Sequence, residues 1–235
     1  MKKLAIVTRA DSGVQDWVDL THGRMRQYAE QCNADFIVLC GPAVLVVPKI
    51  CGTPSNYWRT IRIGELLNVY DRILHLDTDM IVNKNVPNIF DLVPEDKIGG
   101  VREDVGSRKG DRIARMADIQ NEYGSIDWQE GYINEGFFLV SSMHKEIFMP
   151  HRGTELYATW AYTQSHMNYK IKEFNFEIFD VGYKWNHMGM FSEPWNGNPN
   201  RFESHIIHYA GRGVFEPGPT NKLEQAHLDY KRIYK

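Results

Sequence analysis

Asp77 and Asp79 lie two residues apart in "DRILHLDTDMIVNKNVP", where one apolar run ends and another begins. Carboxylates rarely enter such surroundings unless an arginine, backbone N–H groups or a divalent cation compensates them. On an extended segment alternate side chains share a face, so the pair can converge on one ion. Their hard oxygens suit Mn²⁺ or Mg²⁺. Two carboxylates also leave most of an octahedral shell open, which is how a metal clamps a diphosphate. The plainer alternative is that one aspartate caps the following turn while the other pairs with Arg72 or Arg62.

A second group stands near the other end of the chain, in "HIIHYAGRG". His208 closes an apolar run, and a neutral imidazole can add a metal ligand. Gly211 and Gly213 would let backbone N–H groups approach phosphate oxygens closely. A satisfied core histidine beside an ordinary glycine turn explains the same residues. His205 competes for the ligand role, but alternation puts it on the opposite face of the strand.

These residues depend on the elements that carry them. "KLAIV" reads as a short buried strand ending in the polar turn "TRADSG". Residues 16–33 have helical spacing, "DFIVLC" reads as a second strand, and the proline-broken "GPAVLVVPKICGTPSN" reads as a loop. Ile61, Leu66 and Val69 give "YWRTIRIGELLNVY" the rhythm of an amphipathic helix leading into "DRILHL". Alternating strands and helices predict a mostly parallel α/β sheet covered on both faces. Ligands of such sheets bind beyond the carboxyl ends of the strands, which is where Asp77 and Asp79 fall. "KIGGV", "GYINEGFFLVSS", "FEIFDV" and "SHIIHYAG" supply further strands. The polar stretch 102–130 is expected to be a lid or substrate loop. "TNKLEQAHLDYKRIYK" is expected to form a peripheral C-terminal helix, about 219–235.

The 235 residues, 43% hydrophobic and 24% charged, suit a single domain over 1–235. A net charge of −3 with no lysine or arginine block argues against nucleic acid as a partner. "MKKLAIVTRA" has too short an apolar region for a signal peptide, and nothing approaches the roughly 18 apolar residues of a membrane span. A cytoplasmic chain with no membrane span is the expectation. Cys32, Cys40 and Cys51, odd in number and without a CxxC spacing, read as free thiols. Composition leaves the oligomeric state open.

Four stretches resemble a known family. "RIGELLNVYDRILHLDTDMIVNKNVPNIFDL" is similar to the DxD segment of GT-A fold glycosyltransferases, above all glycogenin and the bacterial lipopolysaccharide galactosyltransferases. "YINEGFFLVSS" resembles that family's "fNaGvfli" strand, "TQSHMNYKIKEFNFEIFDVGYKWN" its "DQdilN…lp..wN" segment, and "HYAGRG" its "HF.G..KPW". The matches follow the family's order. They imply a GT-A, Rossmann-like α/β domain with a mixed, mostly parallel sheet flanked by helices. They imply too an enzyme that uses Mn²⁺ or Mg²⁺ and a UDP-sugar donor. It would pass the sugar to a carbohydrate or glycoconjugate acceptor and retain the anomeric configuration.

The resemblance also implies roles. Asp77, Asp79 and His208 would bind the cation that holds the nucleotide-sugar diphosphate, with Thr78 between the aspartates beside the donor. Thr8, Arg9 and Asp11 would meet the base and ribose. Arg62, with Arg59 as its competitor, would reach toward the donor, unless both belong to a solvated helix face. Asp104 would take sugar hydroxyls, Asn134 and Glu135 match the "NaG" positions, and Gln164 matches the glutamine of "DQ". Gly211 and Arg212 would face the diphosphate. Two positions depart from the family: Thr163 replaces the "DQ" aspartate, and the "KPW" lysine falls on Val214, leaving Arg212 the nearest cation.

Breaking the anomeric bond builds negative charge on the departing UDP, which the cation, Arg212 and backbone N–H groups would stabilise. Gln164 is expected to act as a dipole near the anomeric centre in a front-face attack. Glu135 is the alternative, as base or transient nucleophile, and an inverting reaction would call on Glu135 or Asp104 as base. The aromatic loop "GYKWNHMGMFSEPWNGNP" suits stacking on an acceptor sugar, and equally suits packing beneath a long loop. A non-catalytic nucleotide-sugar or carbohydrate-binding module, and a metal-dependent nucleotidyltransferase, are the rival readings.

Overall fold

The computed structural model describes residues 2–40, 57–152 and 162–235. β1 (Leu4–Arg9), α1 (Gln15–Gln31) and β2 (Asp35–Leu39) open the chain. β1 pairs in parallel with β2 on one side and with β3 (Arg72–Leu76), after the short helix α2 (Ile63–Leu66), on the other. Strands covered on both faces read as unbroken apolar runs, which is why "RILHL" shows no alternation and is buried throughout.

After β4 (Met80–Val82) and α3 (Ile89–Leu92) comes β5 (Ile98–Arg102), then α4 (Lys109–Tyr123) and β6 (Ile133–Ser141). β6 is buried at all nine positions and runs antiparallel between β3 and β5. α5 (Tyr162–Glu173) leads to β7 (Ile178–Asp180), which lies parallel to β5 at the sheet edge. The order is β2-β1-β3-β6-β5-β7, and only β6 is reversed. The chain forms the expected mixed, mostly parallel sheet with helices on both faces.

Strand alternation divides the interior in two. Ile6, Leu74, Leu76, Phe137 and Leu139 face Met25 and Tyr28 of α1. Ala5, Val7, Ile73, Phe138 and Val140 face Ile63 of α2 and Met167 and Ile171 of α5. Each large side chain buried this way contributes about 1.5–3 kcal/mol, so the strand ends are held in a stiff frame.

β4 and β8 (Ile206–His208) form a separate antiparallel pair with Met80 opposite His208. This register delivers a histidine from the far end of the chain to the aspartates. α6 (Lys222–Tyr234), expected at the periphery, buries Gln225, Ala226 and Asp229. The Asp229 carboxylate accepts from Arg201 Nε and Nη2 and from the Tyr209 hydroxyl, each at 2.8 Å. The helix is tied to β8 through that carboxylate.

Two expectations give way. Residues 102–130 are not a lid, because α4 fills the stretch and buries Met116, Ile119 and Tyr123 against Trp128, Tyr132 and Tyr169. Its exposed charged residues, with the buried Arg112, mask the pattern in the polar average. The helix expected over 57–70 is a 3-10 turn, Tyr57–Arg62, followed only by α2. The chain must then turn into β3, where Asp71 N–H already bonds Lys3 O, and Val69 is left 57% exposed. The proline-broken stretch 41–56, with Cys51, lies outside the described residues, while Cys32 and Cys40 are free. No helix among the described residues is long and apolar enough to cross a membrane.

Candidate active site

Asp77 and Asp79 sit in the turn between β3 and β4, so a turn and not strand alternation brings them together. Asp77 N–H donates to Gly136 O at 2.8 Å. Thr78 secures the other side: its hydroxyl donates to Arg9 O and lies 3.2 Å from Thr8 Oγ1, while Thr21 Oγ1 donates to Thr78 O at 2.8 Å. Thr8 is fully buried in this arrangement. Its hydroxyl therefore pins the turn instead of meeting a nucleotide, as the resemblance had implied.

One oxygen each of Asp77 and Asp79 and one ring nitrogen of His208 lie within 4.8 Å of one another. His208 Nε2 is 3.3 Å from Asp79 Oδ1 and 3.9 Å from Asp77 Oδ2. A relay starting at the backbone sets its tautomer. Gly136 N–H donates to Asn134 Oδ1 at 3.0 Å, which identifies that atom as the oxygen. Asn186 Nδ2 donates to the same oxygen at 3.0 Å, so Asn186 Oδ1 is the atom 2.8 Å from His208 Nδ1. Nδ1 therefore carries the proton and Nε2 turns a lone pair toward the carboxylates. Such a lone pair is repelled there unless a cation or a second ring proton stands between. The mixed oxygen and nitrogen set fits a divalent ion such as Mn²⁺. Gly136 makes the approach possible, since a Cβ would lie 2.5 Å from His208 Cε1 and 2.8 Å from Asp77 Oδ2.

Protein cations hold both carboxylates. Arg9 Nη2 donates to Asp77 Oδ1 at 2.9 Å, and its Nη1 reaches Thr60 Oγ1 at 2.7 Å and Glu135 Oε1 at 3.2 Å. Lys222 Nζ donates to Asp79 Oδ2 at 2.7 Å. Burial pushes both carboxyls up, but the cations Arg9 at Asp77 and Lys222 at Asp79 oppose it, and both carboxyls are held below the usual range. Arg72 and Arg62 take no part. Arg72 donates to Phe90 O and Val93 O, and Arg62 lies 3.9 Å from Glu65.

Arg59 donates to Asp11 Oδ2 at 3.0 Å, and that bond keeps the Asp11 carboxyl low. Both line a cavity of about 210 Å³ with Arg9, Asp77, Thr78, Asp79 and Lys222. Of the two competing arginines, Arg59 faces the site and Arg62 does not. Gly211 and Arg212 are exposed and lie outside this lining. The lysine that lines this cavity is Lys222 of α6.

On the β6 side, the Glu135 carboxylate accepts from Arg9 and from the Thr163 hydroxyl. Gln164 Nε2 donates to Glu103 Oε2 at 2.8 Å, and its Oε1 accepts from Glu135 N–H at 3.2 Å. Arg112 grips the buried Glu103 through Nη2 at 2.7 Å and Nε at 2.9 Å. Asp104 points elsewhere: it accepts from Arg102 Nη2 at 2.8 Å and Gly131 N–H at 2.9 Å. It borders a separate cavity of about 840 Å³ with Lys109, Lys172 and Asp180. The carboxylate that meets Gln164 is thus Glu103. Neighbours on an extended chain face opposite sides, and a register shift between Gly100 and Arg102 sets which faces in. Asn186, inside the quoted "GYKWN", also went unassigned. In the aromatic loop Trp185 and Phe191 are buried and Trp195 is 43% exposed, so the loop mainly packs.

The model of glycosyl transferase family 8 matches residues 48–213. No curated protein sequence matches the chain. Among solved structures, the apo WbbM bifunctional glycosyltransferase superposes with a TM-score of 0.63 at 14% identity, over 97% of this chain and 49% of that one. This chain therefore spans about half the length of that protein. The galactosyltransferase LgtC, in complex with donor and acceptor sugar analogs, gives 0.58 at 13% identity, over 98% of this chain and 96% of that one. Mouse xyloside xylosyltransferase 1 gives 0.54 at 12% identity, over 90% and 99%. At these identities the likeness is one of fold.

Proposed function

The chain belongs to glycosyl transferase family 8, and we propose that it moves a sugar from a UDP-sugar to a carbohydrate or glycoconjugate acceptor with retention of configuration. One observation carries this reading: the relay from Gly136 through Asn134 and Asn186 leaves the Nε2 lone pair of His208 facing Asp77 and Asp79. Those three residues would hold a divalent cation, and when bound it supplies positive charge to the departing diphosphate. Arg9 keeps Asp77 ionised as a ligand. Arg59 and Lys222, in the same cavity, are placed for phosphate oxygens.

The residues on the β6 side support a front-face reaction. Glu135 Oε1 is taken up by Arg9 and by the Thr163 hydroxyl, so that oxygen is held in hydrogen bonds and is not free to attack. Gln164 is held at both ends, by Glu103 and by the Glu135 N–H, so its amide dipole is fixed before the donor arrives. Preorganised dipoles of this kind act on charge that develops in the transition state. Asn134 completes the sugar side, and Asp104 is left out of the chemistry.

Calorimetric titration with UDP, with Mn²⁺ and then with excess chelator, tests the cation site. Binding is expected to disappear with the chelator, and unchanged affinity would falsify the site. Release of UDP from UDP-sugars identifies the transfer. Pyrophosphate release instead would make the protein a nucleotidyltransferase, and an inverted anomer on product NMR would remove the retaining assignment.

A further inference from the structure

Lys222 is the first residue of α6, at the end where helical N–H groups concentrate positive potential. An ammonium is disfavoured there by the helix itself. Asn221 already caps that end by accepting from the N–H groups of Leu223 and Glu224. The Lys222 side chain leaves the helix and reaches Asp79 Oδ2 at 2.7 Å, with Nζ 5.6 Å from the centre of the Trp17 ring. Its base is fixed in place. Gly213, at φ +60, packs so closely that a Cβ would lie 2.7 Å from Lys222 Cβ and 2.5 Å from Tyr209 O. Arg201 and Tyr209 hold the same helix through Asp229.

Asp79 therefore has two claimants. Its Oδ1 belongs to the cation set with His208, and its Oδ2 is taken by Lys222. A divalent ion at that set brings two positive charges close to an ammonium that shares a ligand with it, and like charges at such range oppose each other. The opposition is relieved if the flexible lysine swings to an anion in the cavity it already lines. A diphosphate is such an anion.

We propose that Lys222 couples the two ligands: it opposes the cation at Asp79 and joins the diphosphate, so that each ligand strengthens the binding of the other through this one side chain. The proposal rests on the cation and UDP reading given above. Linkage then requires the coupling to be reciprocal.

The test measures Mn²⁺ affinity by the paramagnetic resonance signal of the free ion, with and without UDP, and UDP affinity by calorimetry at saturating Mn²⁺. It compares the unmodified protein with Lys222→Met, which keeps the stem, and Lys222→Gln, which keeps a polar tip. UDP binds Mn²⁺ in solution, so the readout is the difference between variants. Removing the ammonium should tighten Mn²⁺ alone by about fivefold and weaken UDP at saturating Mn²⁺ by about tenfold, within the usual range of coupling. Lys222→Gln must change in the same directions, which covers the case that Lys222→Met folds poorly. Unchanged coupling in both variants, or weaker Mn²⁺ binding without UDP, overturns the proposal while leaving the site intact. Failure of the unmodified protein to bind either ligand overturns the site and the proposal together.

Discussion

On the β6 side of the cleft, Glu103, Asn134, Gln164 and Asn186 bond to one another, to Arg112 and to backbone N–H groups, and all but Gln164 are buried. On the β4 side, Asp11, Asp77 and Asp79 are partly exposed, and each meets a long cationic side chain, Arg59, Arg9 or Lys222. The difference lies in what can be exchanged. A buried relay whose order is set by backbone donors has no second arrangement that satisfies its members, so it fixes orientation. An ion pair with one side open to the cleft can exchange a partner for a ligand's charge without leaving a carboxylate uncompensated.

Breaking the buried side should cost the most stability. Arg112→Ala leaves Glu103 charged and without its bidentate partner, and should lose about 3–5 kcal/mol in denaturant unfolding. If it costs no more than Arg59→Ala, the two sides are not different in kind. Next in size is Asp79→Ala, which should slow transfer roughly a hundredfold to a thousandfold while moving the thermal midpoint little. Loss of folding in that variant, seen by circular dichroism, would make Asp79 a structural residue instead. Asn186→Ala leaves all three proposed ligands in place but frees the His208 ring, and should weaken Mn²⁺ binding about 10- to 100-fold. A normal Mn²⁺ titration curve would sink the relay. The smallest contrast is between the two arginines. Arg59→Ala should weaken UDP about tenfold, the scale of one charge-assisted contact, and Arg62→Ala should stay within about twofold.

Local pattern carried much of this protein. The apolar runs around "DTD", the strand ending in His208 and the run "FFLV" within β6 are legible because burial on both faces favours apolar letters in succession. Helix α4 was not, because its polar and charged residues outweigh three buried apolar positions in any average over the stretch. The arginine facing the cleft could not be chosen from 59 and 62 either, since a tight 3-10 turn replaces the regular helix that the spacing implied.

The sequence by itself determined the composition of the site: two aspartates beyond a buried strand, and a histidine on a second strand that the family pattern ties to them. Tertiary structure alone decided which neighbours complete it. Glu103 and not Asp104 meets Gln164 because a register shift sets the phase of the chain leaving β5. Lys222 reaches Asp79, and Asn186 reaches His208, because separate stretches of chain converge on the pairing of β4 with β8. Periodicity reports which side of its own element a residue faces. It carries no information on which distant element packs against that side, and the polar partners at this site come from such elements.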